Sequence, residues 1–414
     1  MTANFLIWSV SAFSIAGLIL RPMGWPEAVW PVAGALLLTI LGTLPGSDAL
    51  RGIAQGCDVY LFLAGMMLLT ELAREEGLFD WLAAHAARMA HGSPRRLFGL
   101  IYLIGVLVTV FLSNDATAVV LTPAVAAVTR AAGAENRLPF LLICALVANA
   151  ASFVLPISNP ANLVLYGGNM PPLAQWLPRF ALPSLLSIAG TWAVLRFTQR
   201  RALAGRLRQE IPQAPLSAGG KTAAAGIAGM AALLLLVSGL GLRLGLPTFC
   251  AGAVTLAALW VPRRRIPWPV LRQISWSVLP LVAGLFVLVR ALAQTGALAS
   301  LAALMRSLAR GNPAGALWGG GIALGYACNL VNNLPAGLAA GEAAAGLPHR
   351  VLAGVLLGVD IGPNLSVTGS LATILWLAAL RRENIAVTAW QFFRLGLLAM
   401  PAALLPALLG LFLS

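Results

Sequence analysis

Two stretches of this chain follow one pattern, 219 positions apart. Leu63-Ala64-Gly65 leads through Gly77 and Leu82-Ala83-Ala84 to Gly92-Ser93-Pro94. Val282-Ala283-Gly284 leads through Gly296 and Leu301-Ala302-Ala303 to Gly311-Asn312-Pro313, and the register holds to Asn114 and Asn333. Each copy then has a second polar break inside apolar sequence: Pro156-Ile157-Ser158-Asn159-Pro160-Ala161-Asn162 in the first, Asp360-Ile361-Gly362-Pro363-Asn364 in the second. The chain therefore uses one supersecondary unit twice. Each unit holds two interrupted apolar segments, and such breaks survive at depth only where protein or a water cavity satisfies the backbone.

The surrounding composition identifies the solvent. Of 414 residues, 59% are hydrophobic and only 10% charged, against about 25% charged in soluble domains. Folded in water, such a chain would expose large apolar surfaces, so a lipid bilayer is expected around it. Met1 to Leu20 has no basic leader and no small-residue cleavage pattern before Arg21, so this stretch reads as a retained span. The net charge of +14 would suggest nucleic acid in a soluble protein, but here the basic residues sit at span ends and no nucleic-acid partner is expected. Cys57, Cys144, Cys250 and Cys328 are scattered, with no CxxC and no nearby His, so neither a metal site nor a disulfide framework is expected.

A span needs about 20 apolar residues. Spans are expected near 3–20, 27–45, 57–73, 138–165 (broken), 179–198, 222–242, 246–262, 276–293, 350–380 (broken) and 391–413. Segments 96–131 and 313–347 are interrupted by Ser113-Asn114-Asp115 and Asn332-Asn333-Leu334-Pro335, and each reads as a re-entrant hairpin. Segments 78–91 and 297–310 read as interfacial amphipathic helices. The expected fold is an all-α integral membrane protein of two repeats, each with five spans and one hairpin. An odd number of crossings inverts the second repeat relative to the first. Residues 1–198 form the first repeat, 199–221 a cytoplasmic linker and 222–414 the second repeat. The layout sorts the basic residues 19 to 8, with Arg394 in the smaller set. The richer side is then cytoplasmic, which puts both termini outside.

Inverted repeats with broken helices are the layout of secondary transporters, whose site lies where the copies meet. The hairpin tips are expected to approach one another there, beside the two broken spans. Candidate substrate contacts are Asn114, Asp115, Thr117, Ser158, Asn159, Asn162, Asn332, Asn333, Asn364 and Thr368. Broken helices add free backbone groups and dipole ends. Asp115 stands out. A carboxylate at the bilayer centre costs about 2.5–3.5 kcal/mol on insertion scales, so it is retained for a role, and reversible protonation is the natural one. Asp360 is the second proton-coupling candidate. Asn114-Asp115 also fits a helix cap for the returning arm of the hairpin, and Asn332-Asn333 before Pro335 fits a capped helix start. Ser158, Asn159 and Asn162 could serve only to turn the chain around Pro160. Hydroxyls such as Thr368, Ser370 and Thr373 often bond back to their own helix. Cys144 and Cys328 lie close to these motifs but also read as small buried hydrophobes. Glu71 and Arg290, at matching positions in the copies, read as interfacial.

No Lys or Arg falls in 111–123, 151–169, 328–341 or 358–377. Dicarboxylate and phosphate sites normally supply positive charge, so a neutral hydroxylated solute or a cation fits better. An enzyme is not expected: no nucleophile–base pair is visible, and His85, His91 and His349 lie at span ends.

At these residues the chain resembles the arsenite efflux permease family of the ion transporter superfamily. The motifs that carry the resemblance are Phe111-Leu112-Ser113-Asn114-Asp115-Ala116-Thr117-Ala118-Val119-Val120-Leu121-Thr122-Pro123, Ser158-Asn159-Pro160-Ala161-Asn162, Asn332-Asn333-Leu334-Pro335 and Gly362-Pro363-Asn364-Leu365-Ser366-Val367-Thr368-Gly369-Ser370-Leu371-Ala372-Thr373. The resemblance covers almost the whole chain. It implies a multi-pass inner-membrane protein exporting As(OH)3 or Sb(OH)3 in exchange for protons, with the proton motive force as its only energy source and no cofactor. Some members of the family also couple to a soluble ATPase subunit. Two relatives in the superfamily give alternative readings: a Na+/H+ antiporter in which Asp115 and Asp360 bind the cation, and an anion or dicarboxylate transporter. In the dicarboxylate carriers a Thr stands where this chain has Asp115.

Overall fold

The computed structural model describes residues 3–208, 215–264, 266–344 and 346–414. Arg265 and the middle of the expected linker, 209–214, lie outside the described residues. The first half runs α1 (Ala3–Leu20), α2 (Val29–Ile40), α3 (Gly46–Gln55), α4 (Cys57–Glu75), α5 (Leu78–Met89), α6 (Pro94–Phe111), α7 (Thr122–Ala131), α8 (Leu138–Ala150), α9 (Pro160–Tyr166) and α10 (Leu173–Thr198). The second runs α11 (Ala218–Gly239), α12 (Gly245–Trp260), α13 (Trp268–Gln273), α14 (Val278–Gln294), α15 (Ala297–Gly311), α16 (Pro313–Val331), α17 (Asn333–Ala343), α18 (His349–Ile361), α19 (Leu371–Arg382) and α20 (Ala389–Leu413). Among the described residues, ten α-helices precede the expected linker and ten follow it.

Six helices among the described residues are long and apolar enough to cross a bilayer: α1, α6, α10, α11, α16 and α20. The α3–α4 and α14–α15 pairs pass the same test together, bent by 47° and 76°. The chain is thus an all-α, multi-span protein. Two short helices not foreseen from the sequence, α3 and α13, precede α4 and α14. Arg394 falls in the second turn of α20, at the same end as Arg381 and Arg382, and so belongs with the larger basic set.

Packing between the halves is reciprocal. Helix α2 packs on α14 while α12 packs on α4, and α10 packs on α20. Close approach rests on small residues. Gly321 and Gly325 on α16 face Gly354, Gly358 and Gly362 on and just after α18. A Cβ on Gly354 would lie 2.7 Å from the Leu317 carbonyl, and one on Gly362 would lie 2.5 Å from the Gly325 Cα. This is the small-residue seam by which apolar helices gain van der Waals contact without a hydrophobic driving force.

Both interrupted segments behave as hairpins. Leu207 N donates to Gly92 O and Arg208 N to Ala132 O, each at 2.9 Å, so the start of α6 and the end of α7 lie at one end of the molecule. In the second half, Ala316 near the start of α16 packs with Ala344 and Leu347 beyond α17. The first arms are full length: 18 residues in α6 make about 27 Å of helix.

Candidate functional site

Each break is capped by the residue its sequence supplies. Asn159 Oδ1 accepts from Ala161 N at 3.0 Å and starts α9 at Pro160. Ser370 Oγ accepts from Ala372 N at 3.1 Å and starts α19. Asn332, at φ 71°, accepts from Leu334 N at 3.4 Å and starts α17. The first hairpin differs. The amide of Ala116 is capped by Ser113 Oγ at 3.1 Å, and the Asp115 side chain caps nothing. Only the backbone of Asp115 is tied locally, its N–H donating to Asn114 Oδ1 at 2.9 Å. A π-helical stretch, Ala116–Leu121, follows, and Thr117 joins the hairpin's arms through Thr109 at 2.8 Å.

The Asp115 carboxylate opens into a cavity of about 510 Å3 between the two halves. Its walls come from α4 (Leu63, Met67, Thr70), the start of α14 (Val278) and α19 (Leu371, Leu375); Ser113, Asp115 and Pro160 line it as well. Arg74, Gln273, Arg382 and Glu383 line its other end, which is rich in charge. Glu71 lines this cavity as well and is buried near the end of α4, held by Arg74 at 2.5 Å. Arg74 also donates to Gln273 on α13, and Glu383 takes Arg130, so a hydrogen bond and an ion pair tie the two halves around the mouth. Among the described residues, the Asp115 carboxylate is in no hydrogen bond or ion pair. The volume lies within the range of about 300–1,000 Å3 of small-molecule sites.

A second polar group joins the broken segments directly. Asn159 Nδ2 donates to Asp360 Oδ1 at 2.7 Å. Asn149 Nδ2 donates to Asn364 Oδ1 at 3.0 Å, and Asn364 Nδ2 donates to Leu146 O at 3.1 Å. All four side chains are at most 2% exposed. A third group fastens the second hairpin to its own repeat: Asn329 Nδ2 donates to Gly362 O at 3.0 Å, Ser366 Oγ to Asn329 Oδ1 at 2.7 Å, and Asn332 Nδ2 to Thr368 O at 3.2 Å.

The sequence candidates thus fall into separate groups. Asp115 faces the cavity, with Asn114 beside it in the chain. Asn159, Asp360 and Asn364 form the junction between halves. Asn332, Asn333 and Thr368 belong to the second hairpin and its support, and none of them lines the cavity. Ser158 donates to Val110 O at 2.9 Å and holds the first hairpin to the break. Asn162 Nδ2 donates to the carbonyls of Ser152, Leu155 and Pro156, which keeps the break folded. Among the described residues the hairpin tips do not meet through hydrogen bonds; the broken segments between them do. Cys144 and Cys328 are fully buried and away from the cavity lining.

Sequence reasoning missed Asn149 and Asn329. Asn149 had a signal: it is the penultimate residue of α8, as Asp360 is of α18.

Known proteins resemble this chain along most of its length. The family described as citrate transporter (CitMHS) matches residues 15–380. An arsenical pump membrane protein of Yersinia enterocolitica is 28% identical over 80% of this chain and 81% of that protein. The arsenical pump membrane protein of Escherichia coli K12 is 26% identical over 96% and 93%. The crystal structure of the Alcanivorax borkumensis YdaH transporter, described as having an unusual topology, superposes with a TM-score of 0.57 at 16% identity, covering 88% of this chain and 86% of that one. That likeness concerns the fold alone. The resemblance to the arsenite efflux permeases read from the hairpin and break motifs is borne out by these relatives, and the chain belongs to the citrate transporter (CitMHS) family.

Proposed function

We propose that this protein is a secondary transporter that exports trivalent metalloid hydroxides, As(OH)3 or Sb(OH)3, across the inner membrane in exchange for protons. The observation that carries the reading is the Asp115 carboxylate, which caps no helix and is unpaired among the described residues on the wall of the cavity, in a chain similar to arsenical pump membrane proteins. Ser113, the Asp115 carboxylate and backbone groups freed at the Pro160 break offer oxygen-based contacts to a neutral trihydroxide. Protonation of Asp115 and binding of the solute compete for one site, which is the minimum an exchanger requires.

The family description names citrate, an anion with three carboxylates. Citrate would call for cations at the binding site itself. The arginines of this cavity, Arg74 and Arg382, stand with Gln273 and Glu383, and Arg74 is already engaged by Glu71 and Gln273. Ser113, Asp115 and Pro160, which also line the cavity, belong to segments 111–123 and 151–169 that carry no Lys or Arg. That supports a neutral solute over an anion.

In this reading the charge-rich mouth faces the cytoplasm, both termini face outward, the repeats are inverted about the junction, and residues 1–198 and 222–414 form the two membrane units. Asp360 is the second proton-coupling residue. The proton motive force is the energy source and no cofactor is needed; a soluble ATPase subunit would dock on the cytoplasmic face in those systems that use one.

Everted vesicles test the proposal. Arsenite uptake driven by an imposed pH gradient is expected. Absent arsenite uptake together with a Na+-induced pH change would replace this reading with cation–proton exchange.

A further inference from the structure

A smaller cavity of about 240 Å3 is lined by Gln175, Pro178, Arg179, Arg350, Leu411 and Ser414. It lies at the opposite end of the molecule from the large cavity's mouth: Arg382 and Glu383 precede α20, while Leu411 and Ser414 end it, 25 helical residues away. Between the cavities stands α9. Its first residue, Pro160, lines the large cavity, and its last, Tyr166, lies beside Arg179 of the small one. Seven residues make about 10 Å of helix, and that is the thickness of the barrier.

The barrier is not a dry one. Asp360 Oδ2, Tyr166 Oη and Arg179 Nη1 are buried polar atoms outside any well-aligned hydrogen bond, with Tyr166 and Arg179 within reach of one another. Ser152 lies against the Asp360 carboxylate from the break before α9. Asn159 connects this group to the large cavity, because it both caps α9 at Pro160 and holds Asp360. Buried polar groups need hydrogen-bond partners, and this run of them, loosely paired among themselves, is a polar thread through an otherwise apolar wall.

We propose that the column along α9, from Asn159 past Asp360 to Tyr166 and Arg179, is the second half of the transport route, closed in this conformation by Tyr166 and Arg179. This rests on the transport reading above and extends it. The large cavity is the open access and Asp115 its terminal carboxylate. The small cavity is the vestibule of the closed access. Tyr166, wedged edge-on against Trp176 with ring centroids 5.6 Å apart, is held by α10. Moving α10 relative to α9 draws Arg179 and Trp176 away from Tyr166 and exposes Asp360 to the small cavity.

Thiol accessibility in a cysteine-free background decides the matter. A membrane-impermeant sulfonated maleimide is applied from the face that carries Arg350 and Ser414. Gln175→Cys, at the small cavity, is expected to label readily. Ser152→Cys is expected to label slowly, and at least tenfold faster when combined with Arg179→Ala or, separately, with Tyr166→Ala. Equal rates with and without both opening substitutions, while Gln175→Cys labels fully, overturn the route. Arsenite uptake by the cysteine-free parent in everted vesicles, beside labelling in right-side-out ones, separates this from the substrate assignment. Missing flux with the expected labelling sinks the substrate, whereas normal flux with unchanged labelling sinks the route.

Discussion

Asn159 and Asp360 meet at 2.7 Å across the boundary between the two halves, and the amide that holds the carboxylate also starts α9. One side chain thus sets the geometry of the first repeat's break and the ionisable group of the second. Losing Asn159 removes a cap, worth about 1 kcal/mol, and leaves a buried carboxylate oxygen without its donor, at about 1–3 kcal/mol. Asn159→Ala is expected to lower thermal stability in detergent by several degrees. Asp360→Asn, whose amide oxygen still accepts from Asn159, is expected to stay close to the parent. Equal melting temperatures for parent and Asn159→Ala would show that the junction does not hold the halves together.

Asp115→Asn is expected to abolish pH-driven arsenite uptake, by at least tenfold, with normal membrane abundance. The fold is spared because the carboxylate caps no helix and pairs with no other residue among those described. Unchanged pH-driven flux in vesicles would remove Asp115 from the coupling step.

Ser113→Ala should do the reverse of Asp115→Asn. It strips the cap from the returning arm, at about 1 kcal/mol, while leaving the titrating group in place. The expected readout is a lower melting temperature with the pH profile of transport retained. A shifted pH profile at parental stability would contradict the assignment of the cap.

Replacing Cys57, Cys144, Cys250 and Cys328 together by Ser is expected to leave arsenite flux within about twofold, an energetic change of roughly 0.4 kcal/mol. Both buried thiols lie outside the cavity lining. Loss of flux at normal abundance would bring thiolate–metalloid bonds back into the mechanism.

Gly354→Val tests the glycine seam. A side chain there would press on the Leu317 carbonyl, and overpacking of this kind costs about 1–3 kcal/mol. The expected result is a large drop in melting temperature and in folded yield. A stable, active variant would mean that α16 and α18 separate more easily than their spacing suggests.

Much of the architecture could be read from the residues. The spans follow from runs of apolar sequence. The breaks follow from Asn, Pro and Gly, which cap and punctuate helices through local chemistry. Hence 96–131 and 313–347 could be placed as hairpins that return to the same end. The short helices α3 and α13 could not, because pieces of 10 and 6 residues carry too little periodicity to be told from loops. At the site, Asp115 stood out because a lone acid in apolar sequence is expensive. Whether it capped the hairpin stayed open, since Ser113 lies at equally suitable spacing and only geometry separates the two. The pairing of Asn149 with Asn364 spans 215 positions, a distance no local signal bridges. The clustering of Asn332 with Asn329, Ser366 and Thr368 rather than with the first hairpin's tip was likewise set by tertiary packing.

The brevity of α9 has an electrical consequence. Where conducting water fills both vestibules, the membrane voltage falls across the remaining low-dielectric septum and not across the full hydrocarbon thickness of about 30 Å. A septum of about 10 Å concentrates the field roughly threefold. A proton carried across it still collects the whole of about 2.3 kcal/mol per 100 mV, over a path no longer than two turns of helix.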